Sequence, residues 1–307
     1  MNKILVTGAS GFLGRRLVKK LKSQGIKPIE TSLSMGLDLR DSEATLQFFE
    51  EVKPDIVLNC ASFVGGIQYG YKYPVDLFEN NLLMNVSLLR AVRESGVKRL
   101  VNPISNCVYP AQATLFKEEE IWDGPMHESV LVYGFVRKAL WVGSWANSRQ
   151  YDLDIVNIVL SNMYGPEDHF EEERSHALGA LIMKFVEAEK RNASHVDVWG
   201  SGKPVREWMH VDDGAEAMIL AMDIEATSDF VNVGIGSGIS VIDMCQIIKE
   251  ITGFKGEIKL DPSKPDGAPF KTVEGSKGER MMNGWKPNKN FREGIAETVA
   301  WYRENFN

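Results

Sequence analysis

The chain has 307 residues and a mass of 34.4 kDa, room for one large or two modest domains. With 44% hydrophobic and 25% charged residues it is an ordinary globule, which excludes a disordered or collagen-like chain. A net charge of −7 argues against a nucleic-acid surface, and no apolar run approaches the ~20 residues of a membrane helix. Three widely spaced cysteines, Cys60, Cys107 and Cys245, do not suit a disulfide framework and suggest a reducing, cytoplasmic setting. The first residues open a strand and do not read as a signal peptide.

Ile4–Val6 reads as a buried strand, followed by a glycine turn and a helix from Phe12 to Gln24 that stops at Gly25. Pro28–Thr31 is a second strand. A helix capped by Asp41 or Ser42 runs to Phe49, and Asp55–Asn59 is a third strand. A helix over Asn81–Ser95, a strand over Arg99–Ile104, a helix over Val132–Arg149 and a strand over Leu153–Leu160 complete the pattern. Strand and helix alternating in this way predict an α/β fold with a doubly wound parallel sheet. Beyond Tyr164-Gly165-Pro166 the rhythm is irregular, with a charged loop at Glu171–Arg174 and a helix over Ala177–Lys190. We therefore expect residues 1–163 to bind a dinucleotide, with part of 207–235 packing back on them. Residues 164–307 should form a smaller substrate lobe at the C-terminal ends of the strands.

Gly8-Ala9-Ser10-Gly11-Phe12-Leu13-Gly14 lies between a strand and a helix. Glycines there allow a tight turn and bring a pyrophosphate to the free amides of a helix N-terminus. The GxxGxxG spacing resembles the short-chain dehydrogenase/reductase superfamily, whose fold is Rossmann-like. That resemblance makes Asp38-Leu39 the adenine cradle and puts Ala61 and Ser62, after the third strand, along the cofactor. A carboxylate at the end of the second strand suits NAD and an arginine suits NADP. Here Glu30, Ser32 and Ser34 stand with no arginine, and the residues themselves leave NAD and NADP open.

Ser105 follows the fourth strand and Tyr133 opens the long helix. In the superfamily such a pair holds a substrate carbonyl, and the tyrosine exchanges the proton that accompanies hydride transfer. A phenol needs a nearby cation for this at neutral pH, which the superfamily supplies as lysine one helical turn on. Here that position is Arg137. Lys138 lies about 100° further round the helix, too far to substitute directly.

Five further tracts narrow the resemblance: Val64-Gly65-Gly66-Ile67, Ser105-Asn-Cys107-Val-Tyr109-Pro110, Asn162-Met-Tyr164-Gly165-Pro166, Ser175-His176 and Val198–Asp213. They are similar to the GDP-L-fucose synthase family, the GDP-4-keto-6-deoxy-mannose 3,5-epimerase/4-reductases. Lys264–Gly267 continues the likeness over nearly the whole chain. The resemblance implies Ser105, Cys107, Tyr133, Arg137 and His176 as the catalytic set. Cys107 would be the base and His176 the acid for inversion beside the 4-keto group. Tyr133 and Arg137 would also meet the cofactor, with NADP expected ahead of NAD and no metal. Asn162, Lys184, Trp199, Arg206 and Lys271 would bind the GDP-sugar, the cations taking its diphosphate. Phe270 replaces a basic residue of the family. A homodimer is implied through Asn81–Ser95 and Val132–Arg149, for which Leu131, Val132, Phe135, Val136, Leu140 and Val142 form an apolar set. The alternatives are a C4-reductase without epimerisation, an epimerase that retains its NAD, and a cofactor-binding module without turnover.

Overall fold

The computed structural model describes residues 2–170, 175, 177–227, 229–264 and 266–306. Strands β1 (Ile4–Thr7), β2 (Ile29–Thr31), β3 (Ile56–Asn59), β4 (Arg99–Ser105) and β5 (Asp154–Leu160) alternate with helices. These are α1 (Phe12–Ser23), α2 (Ser42–Val52), α3 (Ile67–Lys72), α4 (Pro74–Glu94) and α5 (Leu131–Tyr151). The second half adds β6 (Asn162–Tyr164), α6 (Ala177–Lys190), β7 (His195–Trp199), β8 (Val205–Arg206), β9 (Trp208–His210), α7 (Val211–Leu220) and β10 (Phe230–Val233). It ends with β11 (Ile239–Ser240), α8 (Val241–Thr252), β12 (Glu257–Asp261), β13 (Phe270–Lys271), α9 (Ser276–Met281) and α10 (Phe291–Asn305). The main sheet runs β10-β5-β4-β3-β1-β2 with every pair parallel.

The sheet is covered on both faces, which is why its strands read as unbroken apolar runs. On one face Leu17 and Leu21 of α1 and Met218 of α7 pack against Val6, Val156 and Ile158. On the other, Leu88 of α4 and Leu140 of α5 pack against Leu5, Leu100 and Val159. Leu17, Leu21 and Leu140 are fully buried, so truncating any of them to alanine should cost about 2–5 kcal/mol. A third core joins Phe185 of α6, Ile248 of α8 and Val299 of α10 with Val196 and Val198 of β7.

Local signals account for most boundaries. Asp41 caps α2 by accepting from the amides of Glu43 and Ala44 at 3.1 and 3.0 Å. Helix α4 begins at Pro74, seven residues before the start read from the sequence, because proline at the first helical position needs no donor. Its first two turns hide from a periodicity reading: Leu77 is buried while Val75 and Phe78 are exposed. Helix α3 was likewise not anticipated. The apolar set on α5 divides between two faces. Val136 and Leu140 are buried in the protomer's own core, whereas Leu131, Phe135 and Val142 face outward. The charged tract Glu171–Arg174 lies outside the described residues.

Candidate active site

All six strands run in one direction, so their C-terminal ends form a single rim. At its β1 end Gly8 has φ +64°, which favours glycine, and a methyl there would stand 2.6 Å from the Cys60 carbonyl carbon and the Ala61 nitrogen. The turn is thereby pressed against the segment leaving β3. A methyl on Gly14 would approach within 2.8 Å of the Gly8 carbonyl carbon. Gly11 caps α1 without a side-chain bond, which leaves the first-turn amides to attract an anion. Phe12 is partly buried, and Leu13 and Leu39 are buried. The cradle therefore fits a pyrophosphate on its backbone donors.

At the end of β2 the hydroxyls of Ser10, Ser32 and Ser34 close a ring with spacings of 2.8, 3.1 and 2.8 Å. Glu30 pairs with Lys22 at 2.6 Å. The guanidinium of Arg40 grips the Asp38 carboxylate, with Nε 2.8 Å from Oδ1, and holds its pKa below the usual range. Arg40 also donates to Asn80 Oδ1 at 2.7 Å. Sequence reading missed Arg40; the Asp-x-Arg spacing was its one visible signal.

The reacting side is built where β3, β4 and α5 meet. The Tyr133 hydroxyl lies 3.2 Å from Ser62 Oγ, so a residue assigned to the cofactor side also touches the tyrosine. The loop holding Ser62 is fixed by Asn81, which is buried and was not anticipated. Its Oδ1 accepts from Phe63 N at 3.1 Å and its Nδ2 donates to the carbonyls of Phe63 and Leu77 at 2.8 and 2.7 Å. Ser105 caps a one-turn helix by accepting from Cys107 N at 3.2 Å. Its own hydroxyl proton has no acceptor among the described residues. Gly134 joins the two groups. A methyl there would stand 3.1 Å from the Cys107 carbonyl carbon and closer still to its oxygen.

Residues 4–234 match the profile of the NAD dependent epimerase/dehydratase family. The chain belongs to that family. It is 34% identical to GDP-L-fucose synthase 1 of Arabidopsis thaliana over 99% of this chain and 94% of the relative. A C. jejuni GDP-6-OMe-4-keto-L-xylo-heptose reductase superposes with a TM-score of 0.92 at 26% identity, covering 99% of this chain and 98% of that one. A Naegleria fowleri GDP-L-fucose synthetase bound to NADP superposes with a TM-score of 0.89 at 30% identity, covering 99% and 93%.

Within this epimerase/dehydratase chain, Arg137 is buried and donates from Nη2 to the Pro103 carbonyl of β4, not to Tyr133. Its Nε is buried without a partner among the described residues. Its charge opposes a rise in the pKa of the half-buried Cys60 thiol, which desolvation nonetheless pushes up to about 12. Lys138 turns away, as its helical position requires. Its Nζ donates to Ile121 O at 2.8 Å and lies 4.2 Å from the centre of the Trp122 ring.

The residues expected on the substrate side fall into two groups. Lys271 Nζ stands 3.7 Å from Cys107 Sγ, and Arg206, paired in register with Lys271 across β8 and β13, lies within electrostatic reach of the same sulfur. Burial lowers the Arg206 pKa, and its two terminal nitrogens donate to the carbonyls of Val205 at 2.9 Å and Asp266 at 3.4 Å. Further out, Lys184 and Lys264 approach the half-exposed Trp199 ring at 5.8 and 5.5 Å. Asn162 donates to the Glu207 carbonyl at 3.4 Å. His176 lies outside the described residues. No grouping of His, Cys, Asp and Glu suited to a metal is found among the described residues, and no helix there is long and apolar enough to cross a membrane.

Proposed function

We propose that this chain is a nicotinamide-dependent GDP-sugar epimerase/reductase. It would convert a GDP-4-keto-6-deoxy sugar to GDP-L-fucose or a close relative by inversion at C3 and C5 and NADPH-dependent reduction at C4. The observation that carries it is the clustering of Ser105 and Cys107 in one turn, pressed through Gly134 against the helix that bears Tyr133. Full-length similarity to the named GDP-L-fucose synthases supports it.

Protons beside a ketone are acidic because the carbanion is stabilised as an enolate. The uncommitted Ser105 hydroxyl would hold the keto oxygen as charge develops on it. Cys107 would remove the adjacent proton and His176 would return one to the opposite face. Tyr133, in hydrogen-bond reach of Ser62, would then protonate the C4 oxygen. Bound nicotinamide supplies the hydride for that reduction. Gly8, Ser10, Gly11, Phe12, Leu13 and Gly14 would hold its pyrophosphate, Asp38 and Leu39 its adenine, and Ala61, Ser62, Tyr133 and Arg137 the remainder.

The hydroxyl ring of Ser10, Ser32 and Ser34 supports NADP over NAD, because three donors suit a phosphate ester while Glu30 is occupied by Lys22. Arg206 and Lys184 would take the substrate diphosphate and Trp199 the base. Residues 1–163 with part of 207–235 form the dinucleotide domain in this proposal, and 164–307 mainly the nucleotide-sugar lobe. A cytoplasmic homodimer through α4 and α5 fits the outward Phe78 and Phe135, whose rings stack at 6.0 Å.

The test is incubation with NADPH and GDP-4-keto-6-deoxy-mannose in D2O, with the product read by mass. Reduced product carrying solvent deuterium is expected. Reduced product without deuterium would favour a C4-reductase, a second reading supported by the likeness to the heptose reductase. Absence of reduction would overturn both.

A further inference from the structure

Three features of the Lys271 environment point away from the nucleotide. Its ammonium lies 3.7 Å from Cys107 Sγ. No carboxylate lies within ion-pair distance of it among the described residues. Its backbone is stitched in place on both sides. Glu207 N donates to Lys271 O at 2.8 Å, and the buried Glu207 carboxylate accepts from Val273 N at 2.9 Å. On the other flank Phe116 N donates to Thr272 O at 2.8 Å, and Thr272 Oγ1 donates to Thr114 O at 2.9 Å. A lysine that binds a diphosphate could reach that anion from a mobile loop. An ammonium meant to stay beside one sulfur needs a strand held this firmly.

Resting on the function proposed above, we infer that Lys271 is a positioning residue for Cys107: its ammonium is the counterion held against the sulfur that abstracts the proton, and it does not primarily bind the nucleotide. The neighbouring Arg206 reaches the sulfur only electrostatically and turns donors to two carbonyls, so Lys271 is the cation in direct contact with sulfur. A close cation favours the charged form of a nucleophile by Coulomb attraction. In the step itself the C–H bond beside the ketone breaks and an S–H bond forms on Cys107. The electron pair passes to the keto oxygen as an enolate. The acid on the opposite face then forms the new C–H bond, and Lys271 keeps its proton throughout.

The test measures the rate of Cys107 alkylation by iodoacetamide at pH 7 in the full-length protein, with Cys107→Ser identifying the site. Lys271→Met should slow alkylation about tenfold and lower the rate of deuterium incorporation in parallel, with KM for the GDP-sugar changed less than threefold. Lys271→Arg should restore most of both, which a misfolded protein would not do. Alkylation within twofold of the parent in Lys271→Met, with KM raised tenfold, would return Lys271 to the phosphate and overturn the inference while the proposed function stands. If the parent protein incorporates no deuterium, the epimerase reading fails, and the alkylation rates still decide whether Lys271 acts on the sulfur.

Discussion

Gly134→Ala tests how closely α5 must approach the β4 turn. The new methyl would stand 3.1 Å from the Cys107 carbonyl carbon, nearer still to its oxygen, and 2.8 Å from Met126 Sδ. Carbon atoms rest about 3.5 Å apart, so the helix start must withdraw by roughly 0.4 Å for the carbon contact alone, and further for the oxygen. Met126 can swing aside, but the backbone carbonyl cannot. Overpacking of this kind costs about 1–3 kcal/mol. Replacing a helical glycine by alanine returns about 1 kcal/mol, so net stability should fall by roughly 0–2 kcal/mol. The larger effect is on geometry, since Tyr133 is the adjacent residue and its separation from Ser105 and Cys107 would grow. A displacement approaching an ångström costs up to about 100-fold in rate. Steady-state kinetics should therefore show kcat reduced about 30- to 100-fold with a much smaller rise in KM for NADPH, because Tyr133 is one of several cofactor contacts and Gly8–Gly14 is untouched. A kcat within threefold of the parent, in a protein of equal or higher stability, would refute the claim that this approach sets the catalytic geometry.

Ser34→Asp places a carboxylate in the hydroxyl ring at the end of β2, and should raise KM for NADPH at least tenfold while sparing NADH; equal losses for both cofactors would count against a phosphate site there. Glu207→Gln sets an amide NH2 against backbone donors now shared between the two carboxylate oxygens, which accept from Ile235 N, Gly236 N and Val273 N. Leaving such donors unpaired costs about 1–3 kcal/mol, readable as a lower urea midpoint, and an unchanged midpoint would show that these bonds add nothing to stability. Phe135→Asp charges the outward face of α5 beside Phe78. Light scattering should then report a monomer, whereas a persistent dimer would place the interface elsewhere.

Local chemistry explains why the nucleotide half was so readable. Glycine spacing, the Asp41 cap and apolar strands depend on neighbours in the chain, and β1 to β5 with α1, α2, α5 and the later turns of α4 follow from them. The Ala177–Lys190 helix was equally plain. Contacts between distant segments were not written locally. Asn81 sits on the inner face of α4, where its carbonyl and amide tie a loop 18 residues away, and nothing in its immediate sequence marks it apart from Asn80. Arg137 and Lys138 are adjacent in sequence, yet one reaches the β4 carbonyl and the other the Trp122 ring, because successive helical positions point about 100° apart. Val136 and Phe135 likewise separate into core and surface. Composition, periodicity and motif determined the alternating α/β fold and its glycine turn, and the family resemblance singled out the candidate site residues. Tertiary structure decided which of them meet. Lys271 is 164 positions from Cys107, and only the parallel pairing of β13 with β8, clamped by Glu207, carries its ammonium to the sulfur.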